Sequence, residues 1–241
     1  MQVLYVRAQW VALSLLLWLF SAVLSAQSPA YVDDGAMGVN DGSSWQNAFT
    51  DLQSALDNTA SGEIWVAAGT YKPSAYPAGC TGCATNRDFT FQLKDGISLY
   101  GGFAGTETML SQRDIAANPT ILSGDIGTVG NASDNVHHVV LAVFATTTPT
   151  TRLDGFTITG GNADVFRGSI TVNGEAIYRD SGGGIYTSGG TNTLTNNSLS
   201  GNTADFGGGI LSFQGTNTLT NNSLSGNTAD FGGGGIFTYY S

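Results

Sequence analysis

Gly190 to Gly209 reads Gly-Thr-Asn-Thr-Leu-Thr-Asn-Asn-Ser-Leu-Ser-Gly-Asn-Thr-Ala-Asp-Phe-Gly-Gly-Gly, and Gly215 to Gly234 repeats all twenty residues unchanged, a period of 25. A diverged copy precedes them, in which Thr157-Ile158-Thr159-Gly160-Gly161-Asn162-Ala163-Asp164 parallels Ser198-Leu199-Ser200-Gly201-Asn202-Thr203-Ala204-Asp205. An insertion, roughly Val165 to Ser181, separates that copy from the exact repeats. Within each repeat single apolar residues stand between hydroxyls, as in Thr193-Leu194-Thr195 and Ser198-Leu199-Ser200, which is strand alternation. Thr, Asn, Ser and Gly are poor helix formers, and no 3.6-residue apolar stripe exists. The inward set Ile185, Leu194, Leu199 recurs as Ile210, Leu219, Leu224. Three short strands per repeat, joined by Gly and Asn bends, would form one coil. One coil buries too little to stand alone, so coils must stack about 4.8 Å apart. The expected fold is all-β, a right-handed parallel β-helix of about six to eight coils, with columns such as Asn197 under Asn222 and Asn202 under Asn227 bonding through their amides.

Working outward, strand-like runs at Ile64–Ala67, Ile97–Tyr100, Thr120–Leu122, His138–Leu141 and Phe156–Thr159 mark earlier, less regular coils. Ahead of these, Ser43 and Gln46 have the spacing of a capping box opening a helix whose face carries Trp45, Phe49, Leu52 and Leu56. A solenoid's first coil exposes its apolar end, so this short helix is expected to cap it, within a region spanning residues 27 to 62, with coils over 63 to 241. Residues 1 to 26 carry Arg7, an apolar run from Trp10 to Leu24 and a small-residue end at Ser25-Ala26, the pattern of a secretory signal peptide. That run is short for a membrane span and no second one follows, so an exported protein without a transmembrane segment is expected. Cys80 and Cys83 are the chain's only cysteines, and in an exported protein such a close pair is expected to form a local disulfide.

The chain resembles right-handed parallel β-helix proteins of the pectin-lyase-like class, in particular bacterial surface proteins with polymorphic-outer-membrane-protein repeats. Their signature, Gly-Gly-Ala/Ile followed by Phe-x-x-Asn, is matched by Gly183-Gly184-Ile185 and Gly208-Gly209-Ile210, then by Leu199-Ser200-Gly201-Asn202 and Leu224-Ser225-Gly226-Asn227, with Leu in place of Phe. Asp41-Gly42-Ser43-Ser44-Trp45, Leu52-Gln53-Ser54-Ala55-Leu56 and Ile64–Tyr71 are similar to the cap and first coil of such proteins. The resemblance covers most of Tyr31 to Ser241. It implies export to the surface or outer membrane and an adhesive or display role, or else polysaccharide lyase or hydrolase activity.

The chain has 18 acidic residues, 15 of them Asp, against 8 Lys and Arg, a net charge of -10 that opposes binding to nucleic acid. Lys and Arg are absent between Gly189 and Ser241, and no catalytic residue is assigned. A galacturonase-like set of Asn-Thr-Asp, Asp-Asp, Gly-His-Gly and Arg-Ile-Lys is missing, and Asn202-Thr203-Ala204-Asp205 only echoes it. If the chain were a lyase or hydrolase, a cluster of Arg, Lys or Asp on one outer strand face in the Ile97 to Arg152 coils would carry the chemistry. His137-His138 read as satisfied or surface side chains rather than a catalytic pair. Asp180, Asp205 and Asp230 share the 25-residue register, which admits a calcium ladder as the one candidate metal site beside the plainer reading of solvated turn residues. Phe166, Arg167, Glu175, Tyr178 and Arg179 make the insertion the one mixed-charge and aromatic cluster of the repeat half, a candidate ligand loop for glycans or cell-surface proteins. Gly232 to Gly235 adds one residue to the repeat and the sequence stops soon after, so a longer parent protein, or end-to-end self-association of the open coil, is expected.

Overall fold

A computed structural model describes residues 28 to 239; the expected signal peptide, residues 1 to 26, lies outside the described residues. The chain is an all-β parallel β-helix solenoid. Sheet I stacks six strands, Ala30–Val32, Gly62–Ala67, Ile97–Phe103, Thr150–Asp154, Thr191–Thr195 and Thr216–Thr220. Sheet II stacks Gly69–Tyr71, Thr120–Ser123, Phe156–Thr159, Ser198–Ser200 and Ser223–Ser225, and sheet III stacks Phe91–Gln92, Val140–Val143, Ile185–Ser188, Ile210–Phe213 and Ile236–Tyr239. Every pairing within these sheets is parallel.

Each exact repeat runs from sheet III to I to II and then adds a strand the alternation did not predict. Thr203–Phe206 pairs with Asn162–Ala163 on one side and Thr228–Gly232 on the other, giving four strands per repeat rather than three. Thr-Ala-Asp-Phe holds no large inward side chain, only Ala204, so the apolar signal for a strand is faint there. The predicted columns are present: Leu194 pairs with Leu153 and Leu219, Leu199 with Ile158 and Leu224, and Ile185 with Val140 and Ile210. The extra glycine produces a bulge between Ala204 and Phe206, after which Ile210 pairs with Ile236, at a spacing of 26.

The amide columns carry backbone as well as side-chain bonds. Asn202 Nδ2 donates to Ile158 O of the coil below (3.0 Å) and to Asn227 Oδ1 of the coil above (3.0 Å), while its Oδ1 accepts from Gly161 N (3.0 Å). Asn197 does the same with Leu153 O, Asn222 Oδ1 and Phe156 N. Both amides are fully buried, and their bonding removes the cost of burying a polar group where the chain turns. The adjacent Asn196 and Asn221 take left-handed φ of 53° and 54°, which Asn tolerates better than most side chains.

The cap helix is Leu52–Asn58, and its N-cap is Asp51, whose carboxylate accepts from Ser54 N (2.8 Å). The Ser43 capping box is therefore corrected: Ser43 N donates to Asp41 Oδ1 in a tight turn, and Trp45 is not helical. Trp45 packs instead outside sheet I against Tyr31 and Phe103, at 4.7 and 5.5 Å between ring centroids. Leu52, Ala55 and Leu56 bury themselves over the first coil and join the continuous core with Val32, Ile64 and Ile97.

Candidate functional site

The insertion folds as an antiparallel hairpin, Ser169–Val172 against Glu175–Tyr178, turning at Asn173-Gly174 with φ of 52° and 85°. An Asn-Gly pair between alternating apolar residues is a strong hairpin signal, and the sequence carries it at Asn173-Gly174. Ile170, Val172 and Ile177 are buried against Leu141, Val143, Tyr186 and Leu211, which project from the outer face of sheet III. The hairpin thus lies over the helix flank.

Two sets of hydrogen bonds fasten it. Thr171 and Thr81 exchange two backbone hydrogen bonds of 2.9 Å each, tying the hairpin to the loop closed by the Cys80–Cys83 disulfide. Arg179 donates from Nε to Asp88 Oδ1 (2.6 Å) and from Nη2 to Asp88 Oδ2 (2.9 Å) and Gly82 O (3.0 Å). Burial opposes the Asp88 charge, but bonds from Arg179 and from the Ala84 and Thr85 N–H groups outweigh it and hold this carboxyl below the usual range. Arg179 of the candidate ligand loop is consequently a fastening residue.

Between the hairpin and the outer face of the last two strands of sheet III lies a groove of about 630 Å³. That is within the usual size of ligand sites. Its walls are Phe166 and Tyr178 from the insertion and Phe206, Phe213, Phe237 and Tyr239 from the coils, over a floor of Tyr186 and Leu211. The rings form two groups: Phe206 lies 5.7 Å from Phe231 and 5.3 Å from Phe237, and Phe213 stacks on Tyr239 at 5.5 Å and 14°. Tyr186, Leu211 and Phe237 occupy one register column, directly after the inward Ile of each coil. That column is legible as an apolar pair, Ile-Tyr and Ile-Leu, where the other strands of the exact repeats, such as Thr193-Leu194-Thr195 and Ser198-Leu199-Ser200, alternate with Thr or Ser.

The groove includes Phe166, Arg167 and Tyr178 from the sequence-predicted ligand loop and omits Glu175 and Arg179. Arg167 has φ of 58°, its N–H donates to Asp180 Oδ2 (2.8 Å), and its guanidinium lies over the Phe166 ring at 5.0 Å. The Tyr186 hydroxyl is buried without a hydrogen-bond partner, and burial, with nearby Tyr178, Asp180 and Glu175, pushes its pKa up. Burying an unpaired hydroxyl costs about 1–3 kcal/mol.

Asp180 lines the groove, and its backbone carbonyl accepts from Asp205 N (2.8 Å), placing the two residues in adjacent coils as the register requires. Burial, then Asp180, Asp230 and Asp164, hold the Asp205 carboxyl above its usual range. Asp180 Oδ1 accepts from Ser181 Oγ (2.9 Å), and Asp230 is exposed beyond the bulge. Among the described residues no three His, Cys, Asp or Glu side chains converge as metal ligands.

His137 and His138 are both buried, with Nδ1 of His137 3.3 Å from Asn162 O and Nδ1 of His138 3.1 Å from Gly182 O. They precede the strand Val140–Val143 rather than lying in it. Burial first, then the neighbouring His138 and Arg87 charges, bring the His137 pKa down to about 3; burial brings His138 down to about 4. Neither is a base poised for neutral-pH chemistry.

On the outer face of sheet I, Arg113 pairs with Asp154 (2.7 Å) and Arg152 with the same carboxylate (3.4 Å), beside Tyr100 and a shallow polar depression lined by Ser98, Thr150, Arg152 and Thr193. Among the described residues no helix is long and apolar enough to cross a membrane. No family profile, curated protein or solved structure matches the chain.

Proposed function

We propose that this is an exported, surface-displayed β-helix protein that binds glycans without transforming them, and that the aromatic groove is its binding site. The observation carrying this reading is the groove itself: seven ring side chains from the insertion and the adjoining coils around a space of about 630 Å³. Aromatic faces present large apolar area at small conformational cost, suited to the C–H faces of sugar rings. The signal-like segment at residues 1 to 26 and the cysteine pair support export.

The purified protein, screened against immobilised oligosaccharides, is expected to retain a subset of them. Phe166→Ala with Tyr178→Ala is expected to abolish retention while far-ultraviolet circular dichroism stays β-dominated; retention unchanged by both substitutions overturns the assignment of the groove.

The Arg113, Arg152 and Asp154 cluster favours a second reading, a polysaccharide lyase or hydrolase acting on the outer face of sheet I. Those charges are spent largely on one another, and Asp154 is also bonded by Asn196 Nδ2 (3.0 Å), which weakens that reading. Turnover of a pectin or alginate panel, lost on Arg152→Ala, would establish it.

A further inference from the structure

Around the groove carboxylates outnumber cations. Asp180 is the carboxylate among its lining residues and Asp205 stands directly above it in the next coil, with Asp230 close enough to act on Asp205. Against these, Arg167 is the lining cation, and Arg179 is committed to Asp88. The one lining cation sits on a ring face, over Phe166, so the groove shows on its own chain how a positive group is received there. The floor adds the buried Tyr186 hydroxyl, whose proton has no acceptor. Carboxylates repelling one another beside ring faces and an unpaired hydroxyl form a site that an ammonium group with neighbouring hydroxyls would complete.

We propose that the groove selects an amine-bearing glycan, one whose hexosamine units carry free ammonium groups, with Asp180 and Asp205 as counter-charge and the aromatic walls stacking on the sugar rings. This rests on the groove being the glycan-binding site. A lysine-rich peptide shares the charge, but for backbone bonds it has only the edge strand Ile236–Tyr239 among the described residues, since the floor strand Ile210–Phe213 is paired on both sides, whereas stacked sugar rings use all the aromatic walls.

Calorimetric titration of the folded protein with a fully deacetylated hexosamine oligomer, its N-acetylated counterpart and a lysine-rich peptide of equal charge tests this. The deacetylated oligomer is expected to bind at least about tenfold more tightly than the acetylated one. Asp205→Asn, and separately added salt, are expected to shrink that ratio. Equal affinity for the two oligomers overturns the amine selectivity while leaving the groove a glycan site. Binding of neutral glycans alone, lost on Phe166→Ala, does the same. Peptide binding as tight as that of the deacetylated oligomer, with the same loss on Asp205→Asn, overturns the sugar class. If no glycan of any charge is retained, the underlying reading of the groove fails as well.

Discussion

Asn202 shows why a chain so poor in apolar residues at its bends still has an ordered interior: one buried amide serves three consecutive coils at the position where the backbone turns. Its equivalent Asn227 is half-buried and also donates to Leu199 O (2.8 Å). Asn202→Ala strands several buried backbone groups and is expected to cost about 2–3 kcal/mol in denaturant unfolding. The histidines make a different demand. Their folded pKa values of about 3 and about 4 lie below the ordinary value near 6.5, so below that pH the unfolded chain takes up protons that the folded chain refuses. Stability is therefore fully present above about pH 6.5 and falls as pH drops toward the folded values, by up to about 1.4 kcal/mol per pH unit for each histidine. His137→Gln combined with His138→Gln is expected to flatten the melting temperature between about pH 6.5 and pH 5, before most carboxylates titrate; an unchanged slope would show that other groups carry it.

Among the elements, the insertion hairpin depends most on long-range fastening. The Asp88 side chain is only 1% exposed, so Arg179→Ala leaves a buried carboxylate unpaired. A loss of about 3–5 kcal/mol is expected locally. Limited proteolysis should then cut within the hairpin while the coil core survives; a hairpin as resistant as before would show that the Thr81–Thr171 bonds and the apolar face of Ile170, Val172 and Ile177 suffice. The turn leading into sheet III raises the calcium question. Asp180 is already bonded to Arg167 N and Ser181, and the bulge at Asp205 separates the coil that carries Asp230 from exact register. Added calcium is expected to leave the melting temperature at its ionic-strength control, and a rise beyond that control would establish a calcium ladder on Asp180, Asp205 and Asp230.

Over the whole molecule, stability is a property of stacking. The core is one continuous file from Leu56 of the cap helix through Ile64, Leu99, Leu153, Ile158 and Leu199 to Ile210, and each coil is stabilised mainly by its neighbours. Position along the axis should therefore govern the effect of identical chemistry. Ile158→Ala, in the middle, is expected to cost about 3–5 kcal/mol, whereas Leu224→Ala, partly buried in the last described coil, should cost about 1 kcal/mol. Denaturant titration compares them; equal losses would mean that the final coil is as tightly packed as the middle.

The 25-residue register was readable in the sequence because identical residues at a fixed interval can satisfy one another by parallel stacking and have few other ways to do so. Inward columns, amide ladders and the close cysteine pair follow from that local information. The cap helix was placed correctly in the chain but started too early, because Ser43 and Asp51 are both plausible caps and only packing against the first coil selects Asp51. The strand Thr203–Phe206 is not legible in the sequence because its pairing partners, not its side chains, make it a strand. The groove needed the tertiary structure most: Phe166 and Tyr178 meet Phe213 and Tyr239 only because an insertion folds back across coils that lie up to 73 residues ahead in the chain, counting from 166 to 239. No local pattern encodes that meeting. It results from burying the apolar face of the hairpin on the apolar outer face of sheet III, with Asp88 and Arg179 setting where it comes to rest.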